Sequence, residues 1–303
     1  MTSLDPDPVR AVARKDFEDA IRSRTLLVLG GVFVVFFLTA AYLFTDQIGG
    51  AIQQAQQGQQ APEITSSSFL RPLTNVTRLL VPLTGAVVAY ASVIRERESG
   101  SLKLLLSLPH SRLDVLVGKL LGRGAVLALP VIAGLLIAVP TFPLADIEFL
   151  AADYLLYLVL TVLVGLTFVS VGLGASAAAD SSRRAVVATF VPYALFTLLW
   201  GQVAQRVASR LSDQFSLEGQ ASFELYFGVR AFNPIAAYEM VASNVGSPQA
   251  QLSLFGPPTR QQYVQQFGEL PWYLTDGALI GVLVLWIVVP VALGYLVFEQ
   301  TDL

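Results

Sequence analysis

Six stretches of this chain are each about 20 residues long and predominantly apolar, the length at which a helix crosses about 30 Å of hydrocarbon. They fall at about 25–45, 76–94, 124–145, 154–179, 185–205 and 277–298. Only 14% of the 303 residues are charged and 54% are hydrophobic, too little polar surface to cover a globule in water, so the bilayer is the solvent for much of the chain. The fold class expected is an all-α membrane protein with six transmembrane helices. The chain has no cysteine, which excludes a disulfide framework and any thiolate metal or redox site.

The first stretch, Thr25 to Thr45, is uncharged and closed by Arg24 and Asp46. A signal peptide would have a shorter apolar core and a small-residue cleavage site. Here a charged segment precedes a full-length span, so the expectation is a retained helix and a mature chain that starts at or near Met1. Six crossings place both termini on one side. The loops of that side hold 13 of the 19 Lys and Arg residues and the opposite loops hold six, which predicts cytoplasmic termini and a multi-pass protein of the cell membrane.

Two sizeable segments then lie outside. The first, about 46–75, contains the Gln-rich run Ala51 to Gln60 and reads as a loop. The second, 201–276, has apolar spacing at Val203, Val207 and Leu211 and a dense stretch from Phe223 to Val241 broken by Asn233-Pro234. It reads as short helices lying on the outer membrane surface. The chain therefore divides into a cytoplasmic N-terminal amphipathic helix, 1–24, and a six-span domain, 25–303, with a cytoplasmic segment at 95–123.

The N-terminal helix opens at Asp7-Pro8, a cap followed by proline at the first helical position. Val9, Val12, Ala13, Phe17, Ala20 and Ile21 recur at helical spacing, with Arg10, Arg14, Lys15, Glu18 and Arg22 mainly elsewhere. It reads as a membrane-surface anchor, or as a lever leading into the first span. Between spans two and three runs Arg95-Glu96-Arg97-Glu98-Ser99-Gly100-Ser101-Leu102, then Lys103 to Pro109. Ser99 or Ser101 can cap a short helix that Pro109 ends. Five leucines occupy seven positions from Leu102 to Leu108, too many for a two-turn helix in water, so they are buried against the membrane, the rest of the chain or a partner.

These residues resemble the inner face of ABC-2 type permeases, the membrane subunits of one group of ATP-binding-cassette transporters. The resemblance rests on Ala13-Arg14-Lys15-Asp16-Phe17 to Arg22-Ser23-Arg24 and on Arg95 to Leu102. It continues through Leu105-Leu106-Ser107-Leu108-Pro109 and Arg112 to Gly118-Lys119, and Asn233-Pro234 is similar to a dipeptide often found in the family's outer segment. It implies a dimer of permeases, or a pairing with a related permease, bound to two cytosolic ATPase subunits. Segment 99–108 would be the coupling helix, with Arg95, Glu96, Arg97, Glu98, Ser99, Gly100, Ser101, Leu102, Leu105 and Leu106 carrying the coupling. Arg14, Lys15, Asp16, Phe17, Arg22 and Arg24 would carry the N-terminal helix's part. Export is the implied direction. The entry into the membrane is also similar to that of a family branch serving copper-enzyme maturation.

The sequence agrees independently that the motor is another chain. The only Gly-Lys pair, Gly118-Lys119, is followed by Leu120, so no P-loop is present, and the chain is expected to carry no cofactor, with ATP and magnesium on the partner. With Arg78 counted to the outer loop, no span contains Asp, Glu, Lys, Arg or His, which disfavours proton-driven transport. A non-transporting scaffold or sensor subunit that recruits a cytosolic partner is the main alternative.

An intramembrane hydrolase is more remote. Ser176 in Gly174-Ala175-Ser176-Ala177 would need a base, and the single histidine, His110, sits in the loop after Pro109. Gly172 and Ser176 read better as a small-residue packing face. Asp146, Glu148 and Asp153 read as a solvated acidic turn rather than a metal site. Asn75-Val76-Thr77 is a glycosylation sequon that abuts span two, and Pro82, Pro130, Pro140, Pro192 and Pro290 mark kinks or hinges.

Overall fold

The computed structural model describes residues 6–22, 28–40, 42–44, 65–102, 107, 111–144, 147–243, 263–265 and 268–300. Helix α1 (Pro6–Ile21) starts one residue before the expected cap, with Pro6 at its first position and Asp7 in the first turn, where a negative charge faces the free N–H groups. Helical residues 28–40 and 42–44 form α2. Then follow α3 (Ser66–Ala89), α4 (Ile94–Glu98), α5 (Arg112–Ala138), α6 (Thr141–Leu144) and α7 (Ala151–Ala178). A single long helix comprises α8 (Ser182–Ala194), a π-helical segment Leu195–Leu199, and α9 (Trp200–Phe215). Helices α10 (Gln220–Ala231), α11 (Pro234–Ala242) and α12 (Asp276–Glu299) complete the described chain. Apart from one bridge between Thr65 and Glu148, the described residues contain no β-pairing.

Five helical stretches are long and apolar enough to span a membrane: Leu73–Glu98, Arg112–Leu144, Ala151–Ala178, Ser182–Phe215 and Asp276–Glu299. The stretch expected as the first span lies in the shorter apolar helix Val28–Phe44, with residues 25–27, 41 and 45 outside the described residues. The chain is thus an all-helical, multi-pass membrane protein.

Helix α7 runs through the middle of the bundle, with α3 and α12 packed along it and α5 beside it. Glycine makes these approaches close. A Cβ on Gly85 would stand 2.5 Å from the Gly165 carbonyl oxygen, one on Gly172 would stand 3.0 Å from Ala89 Cβ, and Gly294 would meet Gly174 at 2.6 Å. The small-residue face expected on span four is real, and without larger side chains in the way the backbones themselves make contact. At the crossing of α7 and α12, Ser170 donates its hydroxyl to the Ile287 carbonyl, in the turn before Pro290 of α12.

Two expectations are corrected here. Segment 201–276 does not consist only of helices on the membrane surface. The Ser182–Phe215 helix has 34 residues, so at 1.5 Å per residue it is about 51 Å long against about 30 Å of hydrocarbon, and α9 is its protruding extension. Its Ala204, Ala208 and Ser212 are the buried row, while Val207 remains exposed, because small side chains let α10 approach where the valine row would hold it off. Helix α11 is buried along nearly its whole length, from Pro234 to Ala242, against α3, α7 and α12.

Second, Arg78 is not a loop residue. Helix α3 begins at Ser66, so Arg78 lies more than three turns inside it and pairs with Glu239 of α11 at 2.5 Å, with Arg230 of α10 at 3.7 Å from the same carboxylate. Thr77 beside it is fully buried and bonded to the hydroxyls of Tyr157 and Tyr238, each at 2.9 Å, so the sequon's hydroxyl is committed to the core. Of the expected acidic turn, Glu148 is exposed as expected, whereas the Asp153 carboxylate is engaged. The Glu148 carbonyl accepts from Ser66 N and the Asp153 carboxylate from Ser67 Oγ, which pins the start of α3 to the start of α7; Asp146 lies outside the described residues.

Candidate functional site

The charged end of the bundle is built where α4 meets five other helices. Ser176 Oγ, buried on α7, accepts from the backbone N–H groups of Val93 and Ile94 at 3.1 Å each and so caps the start of α4. That occupies the hydroxyl considered as a nucleophile, and His110 lies outside the described residues. Helix α4 stops at Gly100, whose φ of +75° is the left-handed conformation that a residue with a Cβ resists. The Ser99 and Ser101 hydroxyls stand 2.9 Å apart and within reach of the Glu96 carbonyl at the end of α4, and Ser99 Oγ also accepts from the Ser101 N–H at 3.5 Å, where the chain turns helical again.

Within Arg95-Glu96-Arg97-Glu98 the four charges point to different elements. Arg95 is exposed and donates to Tyr90 Oη at 2.8 Å. Arg97 donates to the carbonyls of Ala177 at 3.0 Å and Ala179 at 2.8 Å, capping the end of α7, while its guanidinium lies 5.5 Å from the Phe298 ring of α12. Arg112, at the start of α5, covers that ring at 5.1 Å and donates to the Phe298 and Glu299 carbonyls. Glu98 accepts from Ser182 N at 2.9 Å and Ser182 Oγ at 2.6 Å, supplying the start of α8 with a carboxylate at its N-terminus.

Glu96 turns to the N-terminal helix. Lys119 of α5 reaches Glu96 Oε1 at 2.9 Å and Asp16 Oδ1 of α1 at 3.2 Å, and the lysine side chain is 1% exposed. Arg123 grips the same aspartate with two nitrogens, Nε to Oδ2 at 2.6 Å and a terminal nitrogen to Oδ1 at 3.0 Å, and donates to the Val88 carbonyl of α3 at 3.1 Å. Lys15 adds a looser contact to Glu96 at 3.5 Å. Removing one partner of a buried pair of this kind costs about 3–5 kcal/mol, because the other charge is stranded.

Helix α1 packs on α5 through glycines: a Cβ on Gly118 would lie 2.7 Å from Val12 Cβ, and one on Gly122 would lie 2.7 Å from the Ala13 carbonyl oxygen. Phe17 packs with Val88, Val126 and Leu29. The apolar stripe that suggested a membrane anchor is therefore laid mainly on α5. Arg14 and Glu18 form an exposed pair in which the hydrogen bond from the guanidinium holds the carboxyl below the usual carboxylate range. Arg22 is exposed, and Arg24 lies outside the described residues.

Of the leucine-rich stretch, Leu102 is fully buried within this chain's own core and Ser107 is exposed. Leu105 and Leu106, with 103–104 and 108–110, lie outside the described residues. Sequence reading missed Arg123 and Ser182 altogether and gave Arg112 and Lys119 no contact. The signals were present: Ser111 and Asp114 form a capping box that fixes the start of α5, and Gly118 and Gly122 stand one turn apart.

Comparison with known proteins decides the family. The family model described as ABC-2 family transporter protein matches residues 10–303. The chain belongs to the ABC-2 transporter family. It is 26% identical over 296 residues to a probable ABC transporter permease protein NosY of Pseudomonas aeruginosa, covering 96% of this chain and 98% of the relative. It is also 35% identical over 123 residues to a probable ABC transporter permease protein NosY of Stutzerimonas stutzeri, a match that spans 41% of each. As an ABC-2 protein it is a membrane permease subunit of an ABC transporter and partners an ABC ATPase subunit.

Proposed function

We propose that this permease forms the membrane path of an ATP-driven exporter, that its charged end faces the cytoplasm with both termini, and that segment 99–108 docks into the ATPase. The observation that carries the reading is the convergence of α1, α5, α7, α8 and α12 on α4 and the residues flanking it. Segment 99–108 is continuous with that junction, so force applied there has a direct route into five helices. The excess of Lys and Arg in the loops of this end supports its cytoplasmic placement. With α2 as the first crossing, the spans number six.

In this reading two ATPases bind ATP and magnesium and close, the junction moves, and the spans alternate between inward and outward states. The chain itself holds no cofactor and hydrolyses nothing. A second permease copy, or a related permease, completes the path against the exposed flanks of Ser182–Phe215 and Asp276–Glu299, and lipid covers the rest. Affinity purification of the tagged chain from native membranes tests the reading. An ATPase is expected to accompany the full chain and to be lost when 99–108 is deleted. Retention of the ATPase after deletion contradicts docking through that segment, and its absence from the full-length sample after cross-linking favours the scaffold alternative.

A further inference from the structure

At the contact between α1 and α5, apolar packing and charge do different jobs. Gly118 and Gly122 give α5 a smooth face, on which Val12 and Ala13 of α1 lie at backbone distance. Such a face favours contact but fixes neither register nor angle. The two-nitrogen grip of Arg123 on Asp16 fixes both, since a planar fork on a carboxylate tolerates little rotation or slip. Lys119 extends the same constraint to α4 through Glu96 Oε1, and Arg123 extends it to α3 through the Val88 carbonyl.

Opening the contact would strand Lys119 and Asp16, which are 1% and 5% exposed, without their counter-charges, so the cluster resists separation. Asp16 is its centre. Both of its oxygens are engaged, whereas Glu96 Oε2 is buried without a hydrogen-bond partner.

We propose that Asp16, Lys119, Arg123 and Glu96 form a clasp that makes α1, α4 and the adjoining end of α5 move as one rigid body through the ATP cycle. A push received at 99–108 then reaches α2 through α1 and the following span through α5. These are positioning residues, and the inference rests on the permease reading above.

The absence of native cysteine allows a direct test with the pair Val12→Cys/Gly118→Cys. A disulfide needs a Cβ separation of about 3.5–4.5 Å. The 2.7 Å between Val12 Cβ and a Cβ on Gly118 requires a shift of about 1 Å, eased by loss of the valine methyl groups. The variant is purified with its ATPase and oxidised with copper-phenanthroline, either nucleotide-free or trapped with Mg-ATP and vanadate. Cross-linking is read as loss of labelling by a thiol-reactive polyethylene glycol.

A clasp that stays shut gives cross-linking rates within about twofold in the two states, and the oxidised complex keeps more than about half of its ATP hydrolysis. Adding Asp16→Asn makes the rate differ between the states by about fivefold or more while the ATPase still co-purifies. A nucleotide dependence of about fivefold or more with Asp16 intact, the value expected of the opened contact, overturns the clasp and leaves the permease reading standing. So does hydrolysis that stops on oxidation and returns with reductant. If Asp16→Asn fails to fold, the comparison with Asp16 intact decides alone. If no ATPase co-purifies, the permease reading fails first and takes the clasp with it.

Discussion

Arg97 places one guanidinium against two helix ends, the last carbonyls of α7 and the Phe298 ring of α12. Replacing it by Met removes the donor and leaves the Ala177 and Ala179 carbonyls without it. Arg97→Met is therefore expected to lower stability by about 1–3 kcal/mol, read as an earlier melting transition in detergent. Arg95→Met, which gives up an exposed contact with Tyr90, is expected to shift it by less than about 0.5 kcal/mol. Four alternating charges in a row look in sequence like a solvated face. The partners of Arg97 and Glu98 stand roughly 80 residues away in the chain, where no local pattern reveals them. Glu98 illustrates the difference: both of its oxygens accept from Ser182, at the start of α8.

The Asn233 turn is one element that links the long fifth span to the bundle. Its Nδ2 donates to the Phe196 carbonyl inside the π-helical segment that follows Pro192, and its Oδ1 accepts from Ile235 N to cap α11, each at 2.8 Å. A π-helical turn leaves backbone groups unmatched, and an amide that answers one of them holds the irregularity in place. Asn233→Ala removes the cap and the tie together, at a cost of about 0.5–2 kcal/mol for the cap alone. Hydrogen exchange is expected to rise in α11 and across Leu195–Leu199 before it rises in α7; equal protection in all three contradicts the tie.

Helix positions were legible because hydrophobic length is a property of the local sequence, and five of the expected spans overlap the five long apolar helices. The depth of α11 was not. Its residues are apolar apart from Glu239, a composition that fits a helix on the membrane surface as well as one inside the bundle, and only the tertiary partners of Tyr238 and Glu239 distinguish them.

At the scale of the whole molecule, two charged clusters stand apart in a glycine-lined bundle. One ties α1, α5, α7, α8 and α12 around α4. The other joins Arg78, Glu239 and Arg230 beside the protruding α9 and α10. The first cluster, and not the second, is expected to face the ATPase. Ser107 is exposed at the first, and Trp272, which is 80% exposed, marks the second. Placing a photo-activated cross-linker at each position in turn, in cells, tests that claim most directly. The account predicts that the probe at Ser107 captures an ATP-binding-cassette ATPase and the probe at Trp272 does not. Capture of the ATPase from Trp272, or none from Ser107 in a complex that still assembles, would contradict it.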